Sequence, residues 1–183
     1  MTRTSNDRLL VEQFKQGDIA AFERIVSEFS AEIAVLANRL LGWPGEVEDV
    51  VQDVFLAAFV GLKKFRGDCG LKTWLFTITI NKCRTYRYRR ILHLRQISAT
   101  DDKVPLSDDS ASDSLLNSEL FVHIRRAVRA LPSKYREPIV LTYLQELPTD
   151  QICEILGISE NALKVRLNRA RNRLKVQLAE LME

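Results

Sequence analysis

The sequence predicts an all-α protein, two small helical domains joined by a flexible linker. Two observations predict the helices: apolar residues recur mostly three and four apart, and glycine is scarce, 7 in 183 residues. A third divides them. Residues 96–113, QISATDDKVPLSDDSASD, are polar, acidic and serine-rich, with too little apolar surface to order themselves. The expected boundaries are 1–95 for the first domain, 96–113 for the linker and 114–183 for the second domain.

In the first domain the spacing predicts helices over 7–16, 18–41, 46–64 and 71–94. Gly17, the GWPG turn at 42–45 and the RGDCG loop at 66–70 separate them. In the second domain helices are expected over 114–131, 133–144, 149–156 and 159–182, with Pro138 shifting or kinking the second.

Net charge is only +3, but it is unevenly spread. Residues 1–92 hold 14 basic and 11 acidic groups, 93–118 hold 2 and 5, and 119–183 hold 11 and 8. The basic groups gather again within 82–95 and 164–175. No window reaches the length of a membrane span, and no basic-plus-apolar signal stands at the start. Cys69, Cys83 and Cys153 are few and show no C-x-x-C spacing, as expected of a reduced, cytoplasmic protein. His93 and His123 stand apart from ligand partners, and no nucleophile elbow, phosphate loop or H-E-x-x-H motif occurs. Neither catalysis nor a metal or cofactor is expected.

The segment 149–175 has helix-turn-helix spacing. Ile152, Ile155 and Leu156 share one face, Thr149 is an available N-cap, Gly157 supplies the turn, and Ser159 caps the next helix. In that helix Leu163, Leu167, Ala170, Leu174, Leu178 and Leu181 form an apolar stripe. Asn161, Val165, Asn168, Arg169 and Asn172 lie opposite, flanked by Lys164, Arg166, Arg171 and Arg173. Such a helix suits a major groove: polar groups near its start reach base edges while the arginines grip phosphates. The bland alternative is a solvated charged face.

Two further surfaces stand out. Over 46–64 the buried side is Val47, Val50, Val51, Val54, Phe55, Ala58, Phe59 and Leu62, leaving Asp49, Gln52, Asp53, Leu56 and Val60 outward. Carboxylates mixed with exposed aliphatics suit docking to a basic protein partner. Over 63–90, Phe65, Trp74, Phe76, Tyr86 and Tyr88 interleave with nine Lys or Arg, a pattern that stacks unpaired bases and tracks a nucleic-acid backbone. Some of these aromatics, Phe76 among them, are expected in the core.

The stretches EDVVQDVFLAAF (48–59), FRGDCGLKTWLFTITINKC (65–83) and LPSKYREPIVLTYLQELPTDQICEILGISENALKVRLNRARNRL (131–174) resemble bacterial sigma factors. The short two-domain form is similar to the extracytoplasmic-function group. The resemblance implies a promoter-specificity subunit of RNA polymerase, monomeric when free. It implies core-polymerase binding through Glu48, Asp49, Gln52, Asp53 and Leu56. Melted, single-stranded −10 DNA would meet Phe65, Arg66, Lys72, Thr73, Trp74, Asn81, Arg84 and Arg87. Double-stranded −35 DNA would meet Ser159, Asn161, Lys164, Val165, Arg166, Asn168, Arg169 and Arg171. An anti-sigma factor wedged between the domains is expected to mask the DNA-reading surfaces. Thr85 stands where the family often places an acid, and QIC (151–153) where it often has EIA. Two other readings stay open: a sigma-like mimic that titrates an anti-sigma factor without binding DNA, and an ordinary helix-turn-helix repressor.

Overall fold

A computed structural model describes residues 3–42, 44–98 and 119–179. The first half is a bundle of four helices: α1 (Arg3–Lys15), α2 (Ile19–Leu41), α3 (Val47–Leu62) and α4 (Leu71–Ser98). The second holds α5 (Glu119–Ala130), α6 (Ser133–Ile139), α7 (Thr149–Leu156) and α8 (Glu160–Ala179).

Helix α2 organises the first half. The Asp18 side chain accepts from the Ala20 amide at 2.9 Å and starts the helix. Ala21, Ile25, Phe29, Ile33, Leu36, Ala37, Leu40 and Leu41 then form one buried stripe. Gly42 ends it at φ +76, a left-handed conformation that suits glycine, with its N–H bonded to the Asn38 carbonyl. On the stripe pack Val50, Val54, Ala58 and Leu62 of α3 and Leu75, Phe76, Thr79 and Ile80 of α4. Val51 is only half-buried. Phe59, expected inside, is 40% exposed, yet it sits edge-on to Phe14 and Phe22 with centroids 5.2 and 5.1 Å away.

Helix α4 runs on through Ser98, so residues 96–98 are helical where the linker was expected to begin. The rest of that linker, residues 99–113, lies outside the described residues, as do 114–118 of the expected fifth helix.

In the second half α6 and α5 pack on α8 through Leu131, Tyr135, Ile139, Leu163 and Ala170. Pro138 neither shifts the start of α6 nor breaks it. The chain instead widens into one π turn, Val140–Leu144, closed by the Gln145 amide on the Val140 carbonyl at 2.9 Å. The bond that Pro138 cannot donate would go to Lys134 inside α6, and the wider turn starts two residues farther on.

The two halves are docked. Helix α4 packs against α7, and α2 against α5 and the π turn, so the buried apolar residues form one continuous cluster. The Arg129 side chain crosses Gly42, where a Cβ would lie 2.6 Å from its Cδ and push it aside. The sequence suggested halves that touch only through their linker. Its basic and polar residues gave no sign of which of them face the other half.

Candidate functional site

Glu48, Asp49 and Gln52 are exposed on α3, and Leu56 and Val60 are 60% and 73% exposed. Asp53 is half-buried and lies 3.6 Å from Lys82 on α4, so the acidic face adjoins the basic strip. A shallow groove of about 290 Å³ runs along this seam, lined by Asp53, Ile78, Asn81, Lys82, Tyr86 and Arg89 among others.

The strip residues fall into three environments. Phe65 and Trp74 are half-buried and tilted against each other with centroids 5.0 Å apart; Trp74 also packs on Gly61, where a Cβ would come within 3.0 Å of the indole. Beneath the loop lies a cavity of about 400 Å³ lined by Asp7, Val11, Phe65, Arg66, Cys69 and Leu71 among others. Arg66 is exposed and Lys72 is held by Glu32 at 2.7 Å. Thr73, expected at the DNA surface, is only 5% exposed, inside the first turn of α4. Asn81 is exposed and accepts from Arg84 Nη1 at 3.3 Å. Arg84 and Arg87, expected on DNA, lie beside α6: Arg84 forms a bidentate pair with Glu137 while its side chain stays 42% exposed, and Arg87 is half-buried.

Gly157, at φ +64, ends α7, and the Ile158 amide bonds back to Cys153 at 3.0 Å. The Ser159 hydroxyl accepts from the Ala162 amide at 3.3 Å and starts α8. Thr149 is not a cap: Pro148 precedes α7 and Thr149 is its first residue. Leu163 and Ala170 point inward, while Asn161, Lys164, Asn168, Arg169 and Arg171 are exposed and Arg166 is half-buried. Val165 is 48% exposed in their midst. Lys164 pairs with Glu160 at 2.6 Å, a contact that raises its pKa. Arg173 lies over the Tyr135 ring at 5.0 Å, so the basic flank is braced by α6.

Glu137 and Arg136 were missed by the sequence reading. They stand side by side in YREPIVL, a charged pair inside an otherwise apolar run, and that was the available signal for a buried polar contact.

Residues 25–91 match the family Sigma-70 region 2, and residues 122–174 match Sigma-70, region 4. The chain is 33% identical over 180 residues to the ECF RNA polymerase sigma factor SigW of Bacillus subtilis, covering 93% of this chain and 96% of that one. It is 30% identical over 189 residues to the ECF RNA polymerase sigma-E factor of Escherichia coli, covering 97% of each. Among solved structures it resembles CnrH in complex with the cytosolic domain of CnrY, with TM-score 0.69 and 29% identity, covering 96% of this chain and 98% of that one. It shares its fold with the sigma factor RpoE of Bartonella quintana, solved with the anti-sigma factor NepR: TM-score 0.67, 24% identity, covering 88% of this chain and 98% of that one. Region 2 covers most of α2 and α4 and all of α3, with the acidic face and the aromatic strip, region 4 covers the helix-turn-helix, and the chain belongs to the family of ECF RNA polymerase sigma factors.

Proposed function

We propose that this sigma factor directs initiation through three separate contacts. The outward face of α3, with Glu48, Asp49, Gln52, Asp53 and Leu56, docks on core RNA polymerase. Carboxylates steer the encounter and the exposed Leu56 and Val60 supply apolar contact. The loop 65–70 and the strip on α4 receive the melted −10 strand. Phe65 and Trp74 offer ring faces there, Arg66 and Asn81 polar contacts, and the adjoining groove a path. Thr73 supports this turn from inside the bundle and touches no DNA. Helix α8 enters the −35 major groove with Asn161, Lys164, Val165 and Asn168 toward bases and Arg169 and Arg171 toward phosphates.

The observation that carries this reading is the exposed polar face of α8, set behind a left-handed glycine turn and a serine cap and braced on Tyr135. A mimic that only titrates an anti-sigma factor needs no such face. The purified chain mixed with core polymerase should form a complex and initiate from selected promoters. Asp49→Lys should weaken core binding by about tenfold or more, as reversal of a charge that steers and holds an interface does, while duplex affinity stays unchanged. Failure to bind core, or equal loss of both affinities, contradicts the assignment.

We also propose a protein partner of the anti-sigma kind: CnrH was solved in complex with the cytosolic domain of CnrY, and RpoE of Bartonella quintana with the anti-sigma factor NepR. Arg84 and Glu137 already pair across the halves, so a partner wedged between them would have to break that pair.

A further inference from the structure

Arg173 is placed differently from the arginines of α8 assigned to phosphate. It lies three residues past the buried Ala170, so it projects along the edge of α8 that meets α6. Its guanidinium carbon stands over the Tyr135 ring, 5.0 Å from the centroid. Arg173 also follows Glu160, the first residue of α8, by 13 residues, about 20 Å at the rise of a helix. A major groove is about 12 Å wide, so a helix that enters it by its first turns carries Arg173 beyond the base edges.

The ring beneath Arg173 is held from its own side. Tyr135 is 6% exposed, and its amide donates to the Pro132 carbonyl at 2.9 Å as α6 begins. The neighbouring Arg136, 1% exposed, donates from Nη1 to the Arg129 carbonyl at 3.0 Å and ties α6 to the end of α5. Lys134 Nζ also lies over the ring at 5.0 Å. Lys134 and Tyr135 are neighbours on one helix, so that contact joins no two elements, whereas Arg173 on Tyr135 joins α8 to α6. Burial alone would raise the Tyr135 phenol, but the cations Lys134, Arg169 and Arg173 outweigh it and lower it.

We infer that Tyr135 is a positioning residue for duplex recognition: its ring holds Arg173 as a strut that fixes the angle of α8 on α6, and Arg173 does not grip phosphate. This rests on the proposed −35 role of α8. Without the strut, α8 samples further angles on its apolar seam, the fraction poised for the groove falls, and apparent affinity falls by the same factor. A cation on an exposed ring face shifts a population about two- to fivefold. The strut acts through pose alone, so its loss leaves the number of phosphate contacts, and with it the salt dependence, unchanged.

The test uses the full chain as wild type, Tyr135→Phe, Tyr135→Leu, Arg173→Gln and the double variant Tyr135→Leu with Arg173→Gln. Fluorescence anisotropy on a duplex recovered by binding-site selection, at several salt concentrations, reads affinity and its salt slope. Nuclear magnetic resonance reads the Arg173 side-chain protons, which a ring beneath them shifts upfield. Tyr135→Phe should keep both the affinity and the upfield shift. Tyr135→Leu and Arg173→Gln should each weaken binding about two- to fivefold with the slope unchanged, and the double variant should bind no worse than either. The inference is overturned if Arg173→Gln reduces the slope by about 1, which marks a phosphate contact. It is also overturned if the two losses add, if Tyr135→Phe binds as weakly as Tyr135→Leu, or if Tyr135→Leu with helix content intact binds as wild type. Should Tyr135→Leu not fold, Tyr135→Phe and the exposed Arg173→Gln still decide the matter through affinity and slope. If the wild type binds no duplex, the −35 reading fails, and an Arg173 shift that is absent, or that survives in Tyr135→Leu, separately refutes the strut.

Discussion

Lys164 and Arg171 are both exposed on α8, and the proposed reading gives them different parts of a duplex. Lys164 lies one turn into the helix beside Val165, where base edges are reached, and Arg171 lies farther along. Lys164→Ala should change which −35 sequences are recovered in a binding-site selection, with the slope of affinity against salt little altered. Arg171→Ala should weaken all sequences alike and reduce that slope by about 1. Cys83 bears a different consequence. Burial pushes its thiol up to about 12, from an ordinary 9.0 in the unfolded chain. Above pH 9 the unfolded thiol ionises while the folded one stays neutral, so stability present below pH 9 is lost as pH rises toward 12. Urea unfolding at pH 8 and pH 10 should show wild type losing about 1 kcal/mol more than Cys83→Ala. Equal losses would mean that the thiol is not buried as described. At this scale helical periodicity separates the faces of α8 well, because Leu163 and Ala170 mark the inward side. The burial of Thr73 and the pairing of Arg84 were not legible, because the resemblance that singled them out carries no packing information and the partner of Arg84 lies 53 residues away.

Among the elements, α7 and α8 begin differently, and a simple substitution separates them. Ser159 caps α8 through the Ala162 amide, so Ser159→Ala should cost about 1 kcal/mol in urea unfolding. Thr149 is already helical and exposed behind Pro148, so Thr149→Ala should change stability by less than about 0.5 kcal/mol. Comparable losses at both sites would restore Thr149 as a cap. Helix positions were legible because glycine turns at Gly17, Gly42, Gly67 and Gly157 all carry positive φ and punctuate strong apolar stripes. The π turn after Pro138 was not legible, since one missing N–H can end a helix, kink it or widen it, and packing of Val140 and Leu141 into the core decides which. The run of α4 through Ser98 was missed because Gln96, Ile97 and Ser98 read as part of a polar stretch.

At the scale of the whole molecule the sequence showed two helical halves with separate tasks, and the docking between them came from the structure alone. Long-range pairs such as Arg84 with Glu137 and Arg39 with Leu144 leave no period in a sequence. The proposed function asks the two halves to contact separate promoter elements when the chain is bound to polymerase. Cleavage protection on a selected promoter, with core polymerase and the full chain, tests this most directly. It should show one protected duplex segment upstream, lost with substitutions on α8, and a separate segment of unpaired bases downstream, lost with Trp74→Ala. A single continuous footprint abolished equally by both substitutions, or none at any promoter, would contradict it.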